Sequence, residues 1–467
     1  VAAASWPSRI TIGRLAAHIN YRLQQPYSTI DSVITIAKHI HISEQQSPLE
    51  CDLTLDHDHD HDGISISLTH EAIIVAMSLL MFGLCVIDAT PAASTWSERA
   101  EQSLGRFVSQ YWSHKQHYLL KYHPDPGSLT LSEYWNYAQS FDAVIDGVLI
   151  APSSSGPPVF GEVKAVVEAM YAGQAARGWS RAYYDDMNWM AIALLRAFHF
   201  VVPSQRAFVQ TAETLYGSIM AAWDTTCCGS NPGGIWWDTA HTQKATASNA
   251  GPVITGVYLH ALTGNATYLT FAERVYDYWW RTMVNTTTYQ VADHIEASSG
   301  DVVWWKYTYN EGLMVGASVA LHCATANATY LDNAHAVAGF MYTNETVRLA
   351  NSTHSLVLTD GDANSCTGTD CPQFKGIAFR YLNMLQRVSP RAHYAQLLAD
   401  SANAIWTLAQ QNGTTLFGTA WQGPPPQPND VINNAQESAA AMAIAIYARQ
   451  VRHSLNDQAT CSLDQIM

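Results

Sequence analysis

Two adjacent acids, Asp185 and Asp186, are the residues of this chain best suited to chemistry; they stand in the segment Tyr183-Tyr184-Asp185-Asp186-Met187-Asn188-Trp189. Glycoside hydrolysis needs two carboxylic groups, one of them acting as an acid. A retaining reaction needs them roughly 5–5.5 Å apart, so that the second can attack carbon directly. Neighbouring helical positions differ by about 100° in direction, at roughly 3.6 residues per turn. Two short Asp side chains can therefore reach opposite sides of one bond from adjacent backbone positions. One must be ionised and the other protonated, so their environments must differ. Acids also favour the first turn of any helix, where the dipole and the free N–H groups welcome them. The neighbours tip the balance towards chemistry, because Tyr183, Tyr184, Asn188 and Trp189 can hydrogen-bond to sugars and stack on them. No Ser, Cys or His nucleophile motif is recognisable, which argues against acyl transfer.

Positioning such a pair requires a rigid frame, and the chain from Trp96 onward reads as helical throughout. Apolar residues recur at i, i+3, i+4 and i+7 between loops rich in Gly, Pro, Asn and Thr. The pattern predicts twelve helices in two alternating sets. One set lies near 97–113, 161–174, 204–223, 266–283, 327–343 and 391–411; the other lies near 132–148, 185–200, 246–262, 308–323, 374–388 and 435–450. Members of a set recur roughly every 60 residues, the mark of a repeat architecture. TGNATYL at 263–269 returns as TANATYL at 325–331, 62 residues later, and opens a helix of the first set both times. The second set is richer in small residues, which suits an inner ring crowded about an axis, and the first is more polar, as an outer ring should be. The expected fold is all-α, an (α/α)6 barrel of six helical hairpins over 96–452, with an open α-solenoid as the alternative. Asp185 opens an inner helix, hence lies at a barrel mouth. Few other acids fall in the predicted inner helices: Glu133, Asp142, Asp146, Glu311 and Glu437.

The Tyr-Asp-Asp opening of an inner helix resembles the catalytic motif of glycoside hydrolase family 76, the endo-α-1,6-mannanases and related fungal cell-wall proteins that process mannan or the GPI-anchor glycan. The resemblance extends over most of residues 96–450. Trp135-Asn136 with Ala138 and Ile145-Asp146 is similar to the family's first inner helix, and Gly233-Gly234-Ile235-Trp236-Trp237 to its glycine-aromatic loop. Ser248-Asn249-Ala250, Tyr309-Asn310-Glu311-Gly312 and Phe374-Lys375-Gly376 resemble later inner-helix starts. Gln139 departs from the pattern, standing where Asn is common. The resemblance implies a retaining reaction with Asp185 as nucleophile and Asp186 as acid/base, an α-mannan or mannooligosaccharide substrate, and no cofactor or metal. Trp135, Asn136, Gln139, Tyr184, Asn188, Trp189, Trp236, Trp237, Asn249, Asn310, Glu311 and Lys375 form the candidate substrate-binding set. Several have plainer roles open to them. Trp236 and Trp237 can plug the barrel end; Asn249, Asn310 and Glu311 can cap their helices; Lys375 can pair with an acid near the mouth. His241, His260 and His322 have no partner spacing and are expected to be structural. Three rivals share these residues: a transglycosylase acting on mannan or the GPI-anchor glycan, a different (α/α)6 sugar enzyme, and a non-catalytic glycan-binding protein.

Composition bounds the setting. Hydrophobic residues make up 48% of the 467, enough for a sizeable core, while 15 Trp and 23 Tyr offer flat faces for sugars. A net charge of −15 with no basic run argues against nucleic acid as a partner. Sequons at Asn265, Asn285, Asn327, Asn344, Asn351 and Asn412, together with eight cysteines, point to a secreted, extracellular glycoprotein. Cys366 and Cys371, five apart in a polar loop, can close a small disulfide. Residues 1–90 read as an atypical, poorly ordered leader. Within it lie the run His57 to Asp62, a solvated segment with loose metal affinity at most, and the apolar stretch 72–87, which is short for a membrane span and fits a signal-peptide core. Residues 453–467 read as a tail without the hydrophobic signal of a GPI anchor, so no stable membrane anchor is expected. The chain is expected to act as a monomer.

Overall fold

The computed structural model describes residues 95–467 apart from 151–162, 229–231, 351, 353–354, 361–369, 412–413, 415 and 454–460. The leader 1–90, with the His57–Asp62 run and the 72–87 stretch, lies outside the described residues, as do Cys366, Asn351 and Asn412.

Among the described residues, twelve long helices alternate as expected. The outer set is α1 (Trp96–Tyr111), α3 (Val163–Ala175), α5 (Ala207–Ala221), α7 (Ala266–Met283), α9 (Ala328–Asn344) and α11 (Ala392–Thr407). The inner set is α2 (Tyr134–Val148), α4 (Tyr184–Phe200), α6 (Thr246–Thr263), α8 (Thr308–Thr325), α10 (Phe374–Val388) and α12 (Asn434–His453), with a last short helix, α13, at Leu463–Ile466. Outer helices bury one stripe; in α1 it is Ala100, Ser103, Leu104, Phe107, Val108 and Tyr111. Inner helices are buried almost all round, so α8 is covered without a break from Asn310 to Leu321. Each inner helix packs on the next, and α12 packs back on α2, closing a ring of six hairpins rather than an open solenoid. Small residues set the spacing of that ring. A Cβ on Gly312 of α8 would sit 2.7 Å from the Ala378 Cα of α10, so only glycine permits this approach.

The sequence echo is a structural one. Gly264 and Ala326 both end their inner helices in the left-handed conformation. Asn265 and Asn327 then cap α7 and α9, accepting from Thr267 N–H and Thr329 N–H at 3.0 Å each. His260 Nδ1 donates to the Asn265 carbonyl and His322 Nδ1 to that of Asn327, so the two histidines do the same structural job one repeat apart.

At the C-terminal ends of the inner helices, Arg196 and Arg380 share the buried carboxylates of Asp142 and Asp146. The last residues, 461–467, are pinned there. Arg196 Nε donates to the Met467 carbonyl at 2.6 Å, the Tyr258 hydroxyl donates to that of Ile466, and Cys461 is disulfide-bonded to Cys323. Among the described residues no helix is long and apolar enough to cross a membrane.

Candidate active site

The opposite end of the ring holds a cavity of about 630 Å3. Its walls come from the N-terminal ends of five inner helices, among them Trp135 at α2, Asp185, Asp186 and Trp189 at α4, Ala245 and Ala247 at α6, Trp305, Tyr307 and Tyr309 at α8, and Asp370 and Phe374 at α10, with Trp237 and Asp293 added from loops. Five helix dipoles thus point their positive ends at one space, which suits bound or developing negative charge.

Asp185 and Asp186 lie in the first turn of α4 and both face this cavity. Their surroundings differ. Asp185 Oδ2 accepts from the Trp237 indole Nε1–H at 3.0 Å, and its Oδ1 accepts from the Asp186 backbone N–H at 3.0 Å. Burial pushes the Asp185 carboxyl up to about 7, and these two donors work against that rise. Asp186 has no comparable donor among the described residues. Burial pushes it up to about 8, the charges of Asp185 and Asp370 push the same way, and Arg181 opposes them. The pair titrates as a unit, with the first charge favoured on Asp185, where the indole receives it. One carboxylate beside one carboxylic acid is the division of labour that acid-assisted displacement needs.

Trp237 owes its place to a glycine turn and a two-pronged amide. Gly234 adopts φ +89°, and a Cβ there would strike the Tyr278 ring at 2.7 Å. Asn249, at the start of α6, then grips the loop. Its Oδ1 accepts from Ile235 N–H at 2.7 Å, and its Nδ2 donates to the Ile235 carbonyl at 3.0 Å. Further back, the Lys244 ammonium is fully buried and donates to Asp224 at 2.7 Å and to the carbonyls of Cys227 and Gly233. Cys227 and Cys228 are joined by a disulfide between adjacent residues.

Of the candidate sugar contacts, Trp135, Trp189 and Trp237 line the cavity with the two aspartates. The others do not. Trp236 is buried, stacked on His241 at 4.6 Å with Lys244 over its ring. Tyr184 supports the loop by donating its backbone N–H to the Trp237 carbonyl. Asn136 donates to Gln373, and Gln139 is buried. Asn188 accepts from Thr255, and Asn310 donates to Asp293. Lys375 pairs with Asp360 at 3.5 Å. Glu311 accepts from Val291 N–H at 2.9 Å, and Glu437, in the last repeat, accepts from Phe417 N–H at 2.9 Å. Asn310, Glu311, Lys375 and Glu437 tie incoming loops to the inner helices, as Asn249 does, while Asn188 joins α4 to α6.

Among the wall residues that sequence reading missed are Asp293, Trp305, Tyr307 and Asp370. The alternation Trp305, Tyr307, Tyr309 running into an inner helix was the available signal for two of them. Asp293 carried none: it precedes the strand His294–Glu296, which joins Gln243–Ala245 and Val302–Val303 in a small sheet beside the cavity. Asp370 accepts from Trp135 Nε1–H at 2.9 Å across the mouth. It stands next to Cys371, which is disulfide-bonded, while Cys366, the partner expected for it, is outside the described residues.

A closed ring of six helical hairpins with two unequal carboxyls at its mouth defines a sugar-processing helical-barrel enzyme. Comparison with known proteins makes the class specific: residues 95–458 match the model of glycosyl hydrolase family 76, and the chain belongs to that family. Among curated relatives, it is 28% identical over 286 residues to mannan endo-1,6-alpha-mannosidase DFG5 of Saccharomyces cerevisiae, covering 56% of this chain and 58% of that protein. It is 26% identical over 220 residues to mannan endo-1,6-alpha-mannosidase DCW1 of Candida glabrata, covering 44% and 47%. The chain thus spans about half the length of the curated relatives it matches. Among solved structures, an α-1,6-mannanase from Salegentibacter superposes with a TM-score of 0.63 at 23% identity, over 76% of this chain and 99% of that one. Dfg5 from Chaetomium thermophilum, solved with glucosamine, superposes at 0.63 and 16% identity, over 78% and 92%.

Proposed function

We propose that the protein is a retaining endo-α-1,6-mannosidase that cleaves α-mannan outside the cell. The observation that carries this reading is the unequal carboxyl pair, Asp185 with the Trp237 donor and Asp186 without one. In the first step the Asp185 carboxylate attacks the anomeric carbon while Asp186 gives its proton to the departing glycosidic oxygen, leaving a glycosyl ester on Asp185. In the second, Asp186, now ionised, takes a proton from water, and the resulting hydroxyl displaces Asp185 from the sugar. Trp135, Trp189 and Trp237 supply apolar faces for the saccharide. The names of the curated relatives support α-1,6-mannan as substrate, and an inactive variant of the Salegentibacter mannanase has been solved with α-1,6-mannotriose. Exposed sequons at Asn265, Asn285, Asn327 and Asn344, and disulfides that are rare in the cytosol, support an extracellular site of action.

A second reading, transglycosylation onto or from the GPI-anchor glycan, draws on the charge of the cavity. Glu133, Asp185, Asp186, Asp293 and Asp370 line it, and no Lys, Arg or His does so among the described residues. Such a wall favours a neutral or amine-bearing sugar, and Dfg5 of Chaetomium thermophilum binds the amino sugar glucosamine. Product analysis on unbranched α-1,6-mannan and short α-1,6-mannooligosaccharides, with wild type beside Asp185→Asn, tests both. Shorter products from wild type alone are expected. Longer products would replace hydrolysis with transfer, and binding without turnover would replace both with a sugar-binding role.

A further inference from the structure

We propose that Trp305 forms a distal sugar subsite at the cavity rim, which holds the polysaccharide beyond the bond being cut and makes chain length part of the enzyme's specificity. This rests on the endo-mannosidase reading above and names how that site would select its substrate.

A row of rings runs from the centre of the cavity outwards. The ring centroids of Tyr309 and Phe374 are 4.2 Å apart, those of Phe374 and Tyr307 5.2 Å, and those of Tyr307 and Trp305 5.6 Å. All four residues line the same cavity as Asp185. Tyr309 and Phe374 are half-buried and Tyr307 is 9% exposed, whereas Trp305, at the outer end, is 46% exposed. The approach to α8 is extended at Tyr307, and alternate residues of an extended segment face one way, so 305 and 307 present their rings to one wall, which Tyr309 joins from the first turn of α8. Water thus reaches the outermost indole, although large aromatic rings ordinarily contribute to folding by being buried.

The indole is nonetheless held. The His294 ring meets it edge-on at 5.2 Å, and that histidine is itself buried and fixed between Asp293 at 2.7 Å and Glu296 at 3.0 Å. A ring that is exposed yet fixed offers a flat face without an ordering cost when a ligand arrives. Its neighbour Trp304 is 39% exposed but does not line the cavity, so the two tryptophans differ in position and not in chemistry. The occupant that fits is the continuation of the saccharide already in the cavity. The row of rings is continuous with the catalytic centre, and the apolar face of a hexose stacks on an indole without needing a charge.

The test compares kcat/KM on long unbranched α-1,6-mannan with kcat/KM on a short α-1,6-mannooligosaccharide. In Trp305→Ala the ratio of long to short is expected to fall about tenfold. Trp305→Phe restores most of it, and Trp304→Ala leaves it at the wild-type value. A ratio unchanged in Trp305→Ala, or equal losses on both substrates, overturns the subsite. If wild-type protein turns over neither sugar, the mannosidase reading has failed by itself. The subsite is then judged by the affinity of wild type and Trp305→Ala for the same saccharides. A gain in affinity with length that Trp305→Ala abolishes sustains it; a gain that persists, or none in wild type, ends it.

Discussion

The Trp237 indole N–H donates to Asp185 Oδ2 at 3.0 Å, so the loop between α5 and α6 decides which of two neighbouring carboxyls carries the charge. A hydrogen bond to the ionised form lowers a carboxyl's pKa, and here it works against burial, which has pushed Asp185 up to about 7. Trp237→Phe keeps the ring and removes the donor. Asp185 should then hold its proton to higher pH. The acid limb of the kcat/KM profile, which reports ionisation of the nucleophile in the free enzyme, is expected to move up on the order of one pH unit. Peak activity falls as well, because the window in which Asp185 is ionised and Asp186 protonated narrows. A profile whose acid limb stays in place would show that the indole only packs.

The two aspartates should respond differently to the leaving group. Asp186→Asn removes the proton donor, and mannan hydrolysis is expected to fall by about 10²–10⁴. An aryl α-mannoside whose phenol leaves unassisted does not need that proton in the first step. Single-turnover release of phenol should therefore be largely spared in Asp186→Asn and abolished in Asp185→Asn, which lacks the nucleophile. Equal losses of phenol release in the two variants would overturn the assignment of roles.

How far the sequence reaches is clearest at the starts of the inner helices. Helix order, the two rings and the Asp185–Asp186 pair were all legible, because a period of 3.6 and small residues at the axis are written locally. Which polar residue faces the cavity was not. Asn249, Glu311 and Glu437 stand at inner-helix starts just as Asp185 does, yet each turns to a backbone N–H of the preceding loop. That choice depends on where a segment 14 to 20 residues upstream lies, which no local pattern states. Asp293 and Asp370 were hidden for the same reason: they reach the cavity from loops, and their partners, Tyr309 and Trp135, come from other parts of the ring.

Glu437 gives that structural role a measurable signature. Its carboxyl is fully buried, accepts from Phe417 N–H through Oε2, and is pushed by burial from its ordinary 4.5 up to about 8. Between those two values the folded state binds a proton that the unfolded state releases. By linkage this group's contribution to stability falls as pH rises through the interval, by at most about 1.4 kcal/mol per pH unit. Glu437→Gln keeps an acceptor for Phe417 N–H and cannot ionise. Denaturant unfolding of the variant and of wild type at pH 5 and pH 8 should therefore show the variant gaining on wild type as the pH rises. Other buried acids, Glu311 among them, titrate alike in both proteins and drop out of the difference. The opposite sign, with the variant losing ground at high pH, would mean that Glu437 is folded as a carboxylate and that a cation outside its described partners stabilises it.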